Sequence, residues 1–181
     1  MDESPAVTDG VPATNRSRLP WLLAVVATIV IGLDQGAKYL AVRDLTPGVP
    51  VSVVDGILQF RLVRNPGAAF SMATGMTWVL TIVATTVSIV IVRVARRLGS
   101  VRWALALGLL LGGALGNLSD RFFREPGFGR GHVVDYIEYL KFPFMDFPVF
   151  NVADSCVVTA AILIALLGLL GVGVDGRRVE S

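Results

Sequence analysis

Four long apolar segments dominate this chain, and they restrict the folds that are open to it. They lie at about residues 19–42, 76–92, 101–118 and 152–174 of a sequence of 181 residues. A helix needs roughly 20 apolar residues to cross about 30 Å of hydrocarbon, so each segment is close to the required length. The chain is also 54% hydrophobic and only 17% charged, which is typical of membrane proteins. We therefore predict an all-α polytopic membrane protein with four transmembrane helices.

The arginines predict how the helices are oriented. Short segments beside the apolar runs carry Arg93, Arg96, Arg97 and Arg102 in the middle link, and Arg177 and Arg178 after the fourth run. By the positive-inside rule, both termini and this link are cytoplasmic. Residues 1–17 are polar without an apolar period, which predicts a disordered cytoplasmic tail. Residues 18–174 then form one membrane domain, and residues 175–181 form a second cytoplasmic tail. The first run lacks a small-residue cleavage site, so it is interpreted as an anchor.

The long connections contain turn signals. The stretch from Val51 to Val63 is rich in β-branched residues around Asp55-Gly56, which predicts a small β-hairpin on the outer membrane face. The stretch from Glu125 to Gly131 contains proline and three glycines, and we interpret it as a flexible break. The aromatic-rich residues 135–144 suit the membrane interface.

Composition argues against several kinds of site. The sequence has one cysteine, Cys156, and one histidine, His132, which argues against an internal disulfide, Cys-rich metal sites and a His-based zinc site. We expect no metal and no cofactor. Cys156 has no neighbouring histidine to activate it, so a small core residue is the simpler interpretation. The net charge of +2 comes with basic clusters beside the helices, so we expect no nucleic-acid partner.

Polar residues gather near the predicted outer ends of the helices. They are Asp34, Lys38, Asn65, Asn117, Asp120, Arg121, Asp135, Asn151 and Asp154. Ionisable groups are costly inside a bilayer and usually have a function there. A transporter would place some of them at mid-depth, whereas a one-sided layer suits chemistry at the outer boundary. Asp135 and Asp154 are the predicted acid/base pair.

Simpler interpretations stand beside these. Asp34 and Lys38 are four residues apart on a helix, which favours an ion pair over catalysis. Asp120 and Arg121 adjoin a helix end, so structural pairing and substrate contact both remain open. The glycines at 112, 113 and 116 predict close helix packing. A small ion- or solute-conducting membrane protein that uses the same carboxylates is the alternative function, and a noncatalytic scaffold is a third.

Five blocks of sequence, in order, resemble the bacterial lipoprotein signal peptidase (signal peptidase II) family. They are Asp34-Gln35-Gly36-Ala37-Lys38, Asn65-Pro66-Gly67-Ala68-Ala69-Phe70-Ser71, the run from Gly112 to Arg121, Val133-Val134-Asp135-Tyr136, and Phe150-Asn151-Val152-Ala153-Asp154-Ser155. The chain departs from the family in a longer segment between Arg121 and Asp135.

The resemblance implies an aspartic endopeptidase of the bacterial cell membrane, with a small extracytoplasmic β-cradle over its site. Such enzymes remove the signal peptide of prolipoproteins, cutting before a diacylglyceryl-modified cysteine, so the implied partners are these signal peptides and membrane lipid. Carried over by motif, the catalytic dyad is Asp135 and Asp154. Further matching positions line or brace the family's site (Asn65, Asn117, Arg121 and Asn151) or support it (Asp34, Lys38 and Asp120).

Overall fold

The computed structural model describes residues 18–67, 77–141 and 147–178. Within these ranges the elements are α1 (Leu19–Asp44), β1 (Val51–Val54), β2 (Leu58–Asn65), α2 (Thr77–Ala95), α3 (Val101–Phe123), β3 (Val133–Tyr139) and α4 (Val152–Leu169). All four helices are long and apolar enough to cross a membrane. The predicted architecture of four transmembrane helices with a small extramembrane β-structure is confirmed.

Helix α3 is the centre of the bundle and packs against each of the other three helices. Its glycines permit this close approach, as predicted. A Cβ atom added to Gly112 would lie 2.6 Å from Val30 Cβ on α1, and one added to Gly113 would lie 2.6 Å from the Ala153 carbonyl oxygen on α4. Since such distances are shorter than van der Waals contact, larger side chains at these positions would force the helices apart.

Helix α4 ends at Leu169, five residues before the end of the predicted span. Gly171 has a φ of +65°, and the Val172 and Gly171 N–H groups donate to the Leu167 and Gly168 carbonyls at 2.9 and 3.1 Å. This is a Schellman ending, for which glycine is favoured because it tolerates a left-handed backbone. The chain then turns back, and the Trp103 indole N–H donates to the Val172 carbonyl at 2.8 Å.

The strands form one antiparallel sheet in the order β1-β2-β3. The predicted hairpin is present: Val51 pairs with Phe60, and Gly56 occupies the turn with a φ of +67°. Strand β3 was not predicted, because its first four residues are all buried and show no alternation. It pairs with β2 through Asn65–Val133 and Val63–Asp135. The sheet therefore brings the end of β2 next to the start of β3.

The connection from α3 to β3 is folded against the helices rather than forming an open break. The Gly131 N–H donates to the Arg121 carbonyl at 3.0 Å, and the His132 N–H donates to the Glu125 carbonyl at 2.9 Å. Thr81 on α2 donates its hydroxyl to the Gly129 carbonyl at 2.8 Å. These bonds fix the path by which the chain enters β3.

Candidate active site

Asp154 lies in the first turn of α4, where the helix cap fixes its side chain. The Asn151 Oδ1 atom accepts from the Asp154 N–H at 2.9 Å, and Asp154 Oδ2 accepts from the Asn151 N–H at 3.2 Å. This reciprocal pattern is a capping box, in which two otherwise unpaired backbone donors are satisfied by side chains. The Asn117 amide of α3 donates to the remaining carboxylate oxygen, Asp154 Oδ1, at 2.7 Å.

Asp135 lies near the start of β3, with only 2% of its surface exposed. Its Oδ2 accepts from Asn65 Nδ2 at 2.9 Å, and its Oδ1 accepts from Asn151 Nδ2 at 2.7 Å. Burial and then the nearby charge of Asp154 raise the pKa of Asp135 to about 7, and the two amide hydrogen bonds oppose this rise. Two carboxylates at such a site favour sharing one proton near neutral pH.

Asparagine side chains join the two aspartates into one hydrogen-bonded group. Asn151 contacts both carboxylates, and its Nδ2 also lies 3.1 Å from Asn117 Oδ1. The same Asn117 oxygen accepts from Lys38 Nζ at 3.0 Å. Residues from two strands and three helices therefore meet at one end of the bundle.

The predicted ion pair between Asp34 and Lys38 is present, with Lys38 Nζ 2.8 Å from Asp34 Oδ2. Lys38 also contacts Asp120 Oδ2 at 2.9 Å. Asp120 in turn pairs with Arg124 Nε at 2.6 Å and accepts from the Val134 N–H at 3.1 Å. These contacts favour structural pairing for Asp120 over contact with a substrate.

Arg121 is placed differently from its neighbour Asp120. It is only 8% exposed, and its Nη1 atom is buried without a hydrogen-bond partner among the described residues. The side chain lines the same cavity as Asp135 and Asp154. A guanidinium has no acceptor capacity and donates readily to carbonyl oxygens, so this arrangement favours substrate contact.

The cavity has a volume of about 630 Å³ and contains both aspartates in its lining. Its polar lining also includes Asn65, Asn117 and Arg121, and the rest is mostly apolar. The apolar part includes Leu80, Val133, Val149, Phe150, Val157 and Val158. Among the residues that the structure describes, no group of three or more His, Cys, Asp or Glu side chains could hold a metal ion.

Sequence reasoning missed two side chains of this region. Gln35 Nε2 donates to the Gly116 carbonyl at 3.0 Å and to Asp34 Oδ2 at 3.1 Å. Arg124 provides the second cation beside Asp120. The signal for Arg124 was available, because it follows Asp120 by four residues on a helix. Gln35 gave no such signal, since its partner Gly116 belongs to another helix.

A model of the family described as signal peptidase (SPase) II matches residues 26–170 of this sequence. The chain belongs to the signal peptidase II family. A lipoprotein signal peptidase of Rhodococcus jostii (strain RHA1) is 55% identical over 167 residues, covering 92% of this chain and 81% of the relative. One of Mycobacterium avium (strain 104) is 50% identical, covering 100% of this chain and 97% of the relative.

Solved structures of bacterial membrane enzymes share this fold. A bacterial membrane enzyme determined at 2.3 Å resolution has a TM-score of 0.74 at 29% identity, covering 88% of this chain and 93% of that one. Another, at 1.9 Å, has a TM-score of 0.71 at 31% identity, covering 81% and 92%. With its four membrane-spanning helices, this signal peptidase II family member is a multi-pass bacterial membrane protein. The alternative of an ion- or solute-conducting protein finds no support in these comparisons.

Proposed function

We propose that this chain is a membrane aspartic endopeptidase that removes signal peptides from prolipoproteins, with Asp135 and Asp154 as its catalytic pair. One observation carries the assignment of the pair. The two carboxylates come from a strand and a helix, bind the same Asn151 side chain and backbone, and line one cavity. The relatives named lipoprotein signal peptidase support the reaction and the class of substrate.

The pair can carry out peptide hydrolysis by sharing one proton. The ionised carboxylate takes a proton from a water molecule as that water attacks the scissile carbonyl carbon. The protonated carboxyl group donates a hydrogen bond to the carbonyl oxygen, and a carboxyl proton later passes to the leaving amine. The raised pKa of Asp135, about 7, suits the protonated role near neutral pH. The pair nevertheless titrates as a unit.

The surrounding side chains orient the reactants. Asn65, Asn117 and Asn151 each donate to one carboxylate of the pair, so the carboxylate planes are fixed before substrate arrives. Arg121 brings an unpartnered Nη1 donor to the cavity, and it binds a substrate carbonyl or stabilises the developing oxyanion. Pre-oriented donors of this kind need no reorganisation during the reaction.

The proposed substrate carries a diacylglyceryl-modified cysteine directly after the scissile bond. The mostly apolar remainder of the cavity supports this, because acyl chains are stabilised by apolar side chains such as Leu80, Phe150 and Val158. The acyl chains continue into membrane lipid, while the peptide lies against the polar end. Cleavage is expected just before the modified cysteine.

A gel-shift cleavage assay on the purified protein in detergent tests this function. It compares a diacylglyceryl-modified prolipoprotein with its unmodified form, using wild type, Asp135→Asn, Asp154→Asn and the exposed-turn control Asp55→Asn. We expect wild type and the control to cleave only the modified substrate, and both dyad variants to be folded and inactive. Substantial cleavage by either dyad variant would refute the dyad. No cleavage by folded wild type would refute the reaction.

We further propose that both termini are cytoplasmic and that the catalytic pair faces the extracytoplasmic side. The arginines of the link between α2 and α3 support this orientation. Because Cys156 is the only cysteine in the sequence, a Cys156→Ser background allows site-specific labelling. An impermeant maleimide added to intact cells should label Ser52→Cys in β1 and leave Arg97→Cys unlabelled. The opposite pattern would reverse the proposed orientation.

A further inference from the structure

A buried ionic cluster, formed by Asp34, Lys38 and Asp120, lies beside the two aspartates of the proposed dyad. All three side chains are 0% exposed. Lys38 Nζ contacts Asp34 Oδ2 at 2.8 Å, Asp120 Oδ2 at 2.9 Å and Asn117 Oδ1 at 3.0 Å. An ammonium group has three N–H donors, so these three contacts use all of its hydrogen-bonding capacity.

Each carboxylate of the ionic cluster also binds a backbone amide next to the dyad. Asp34 Oδ1 accepts from the Ala153 N–H at 3.0 Å, and Ala153 directly precedes Asp154 in sequence. Asp120 Oδ2 accepts from the Val134 N–H at 3.1 Å, and Val134 directly precedes Asp135. The two backbone segments that carry the catalytic carboxylates are therefore both attached to the ionic cluster.

The third contact of Lys38 extends this pattern to a side chain of the dyad. Asn117 accepts from Lys38 through Oδ1 and donates through Nδ2 to Asp154 Oδ1 at 2.7 Å. By binding Asn117 Oδ1, Lys38 thus directs the Nδ2 end of the Asn117 amide at Asp154. Reversal of that amide would place an oxygen against the Asp154 carboxylate and an NH₂ group against the ammonium.

The charges explain why a lysine is needed between these groups. The ionic cluster and Arg124 together contain two carboxylates and two cations, since Arg124 Nε contacts Asp120 Oδ1 at 2.6 Å. Buried ion pairs add little net stability compared with apolar residues, and their best-attested role is to specify geometry. Without Lys38, two buried like charges would repel, and each is bonded to a different dyad-bearing segment.

We propose that Lys38 is a positioning residue that sets the relative placement of Asp135 and Asp154, acting through Asp34, Asp120 and Asn117. This inference rests on the proposed aspartate dyad. Lys38 does not line the cavity, so it is placed to position the pair rather than to contact the substrate. Its positive charge also lowers the pKa of Asp135, so the test of geometry uses a variant that keeps this charge. A displacement of about 1 Å in a catalytic group can reduce a rate by about 100-fold.

The decisive variant is Lys38→Arg, which keeps the positive charge but replaces three convergent donors with a larger planar group. We expect a folded protein whose kcat for the lipidated prolipoprotein is about 10- to 100-fold lower, with KM within about twofold of wild type. The pH profile should narrow, because the separation of the two apparent pKa values depends on how closely the carboxylates interact. A role in charge balance alone predicts wild-type kcat and an unchanged profile, and that result would overturn the proposal.

The neutral triple variant Asp34→Asn/Lys38→Met/Asp120→Asn gives a second test that removes all three charges at once. Arg124 is 23% exposed and can turn to solvent, so the substitutions leave no charge of the ionic cluster buried without a partner. We expect the kcat of the triple variant to fall at least as far as that of Lys38→Arg. A folded triple variant with wild-type kcat would refute the proposal.

The matched control is Arg61→Gln, which removes the ion pair of Arg61 with Glu138 on β3 at 2.6 Å but leaves the bonds of the Val134 and Ala153 amides to the ionic cluster in place. Its kcat and pH profile should equal those of wild type. Size-exclusion elution and thermal unfolding in detergent establish folding for every variant. Failure of the proposed function can be told apart from failure of the Lys38 proposal. The former would leave wild type inactive or Asp135→Asn active, whereas the latter would leave wild type active and Lys38→Arg unimpaired.

Discussion

Asn151 Nδ2 lies 2.7 Å from Asp135 Oδ1, although one residue caps a helix and the other belongs to a strand. The Oδ1 atom and the backbone N–H of the same asparagine cap the first turn of α4 by bonding to Asp154. One side chain therefore has two separable roles, as a helix cap and as a bridge between two carboxylates.

Substitutions of Asn151 can separate these two roles. Serine is also a good helix cap but has no amide to donate to Asp135, so Asn151→Ser should keep the fold and lower kcat by about 100-fold. Asn151→Ala should lose a similar amount of activity and, in addition, about 1 kcal/mol of stability because the cap is gone. The measurements are kcat and thermal unfolding in detergent. An Asn151→Ser variant with wild-type kcat would show that the bridge is dispensable.

Removing the Asn65 hydrogen bond should move the alkaline limb of the pH profile. This bond lowers the pKa of Asp135, so its loss should raise that pKa further above 7. Asn65→Ser keeps an oxygen for the Gly67 N–H turn contact but is too short to reach Asp135. Activity should therefore persist to a pH about one unit higher, measured as kcat against pH.

The control for Asn65 is Gln59→Leu, which removes another amide–carboxylate bond between the same two strands. Gln59 Nε2 donates to Glu138 Oε2 at 2.6 Å and does not touch Asp135. Its alkaline limb should match that of wild type. If the alkaline limb of Asn65→Ser moved to lower pH, it would contradict the expected rise in the pKa of Asp135.

The raised pKa of Asp135 also predicts a pH-dependent stability difference. The unfolded chain releases this proton near pH 4, whereas the folded protein holds it to about 7. The contribution of Asp135 to stability is therefore lost as pH rises through this window. Asp135→Asn stays neutral, so its melting temperature should exceed that of wild type more at about pH 8 than at about pH 5. The exposed Asp55→Asn should show no such trend, and an equal difference at both pH values would refute the prediction.

Two glycines should respond in opposite ways to replacement by alanine. A Cβ atom at Gly116 would lie 2.7 Å from Asp34 Oδ2, whereas one at Gly36 would meet nothing within 4 Å. Gly116→Ala should destabilise the protein by about 1–3 kcal/mol and reduce kcat, because Asp34 binds the Ala153 amide. Gly36→Ala should be neutral or stabilising by up to about 1 kcal/mol. Thermal unfolding in detergent measures both, and equal effects would contradict this assignment of the close contact.

Local sequence patterns predicted the elements that depend on local physics. The membrane helices were predicted from the length and apolarity of their segments. The β1–β2 hairpin was predicted from the Asp55-Gly56 turn between β-branched residues. The ion pair of Asp34 and Lys38 followed from helical spacing alone. The sequence also contained a signal for the end of α4 at Leu169, because Gly171 follows it and a Schellman ending favours glycine at that position.

Long-range contacts were beyond this reasoning. Strand β3 exists because it pairs with β2 some 70 residues earlier, as in the Asn65–Asp135 bond, and its buried start hides the usual alternation. The contact of Lys38 with Asp120 likewise forms only when α1 and α3 pack together. The bonds of Asn117 to Lys38 and Asp154 require α4 as well. The motif resemblance implied that these residues line, brace or support the site, but their individual contacts became clear only in the folded structure.

The spacing of Asp34 and Lys38 within one helix has a consequence for how the protein is made. An unpaired charged side chain opposes insertion of a membrane helix, by about 2.5–3.5 kcal/mol at the helix centre and by less towards its ends. Since the two are already partners within α1, the first helix can leave the ribosome and enter the bilayer as an electrically neutral unit. Asp120 is translated some 80 residues later, and its arrival with α3, near Arg124, adds a second balanced pair. Each carboxylate of the ionic cluster therefore enters the membrane beside a cation four residues further along the chain.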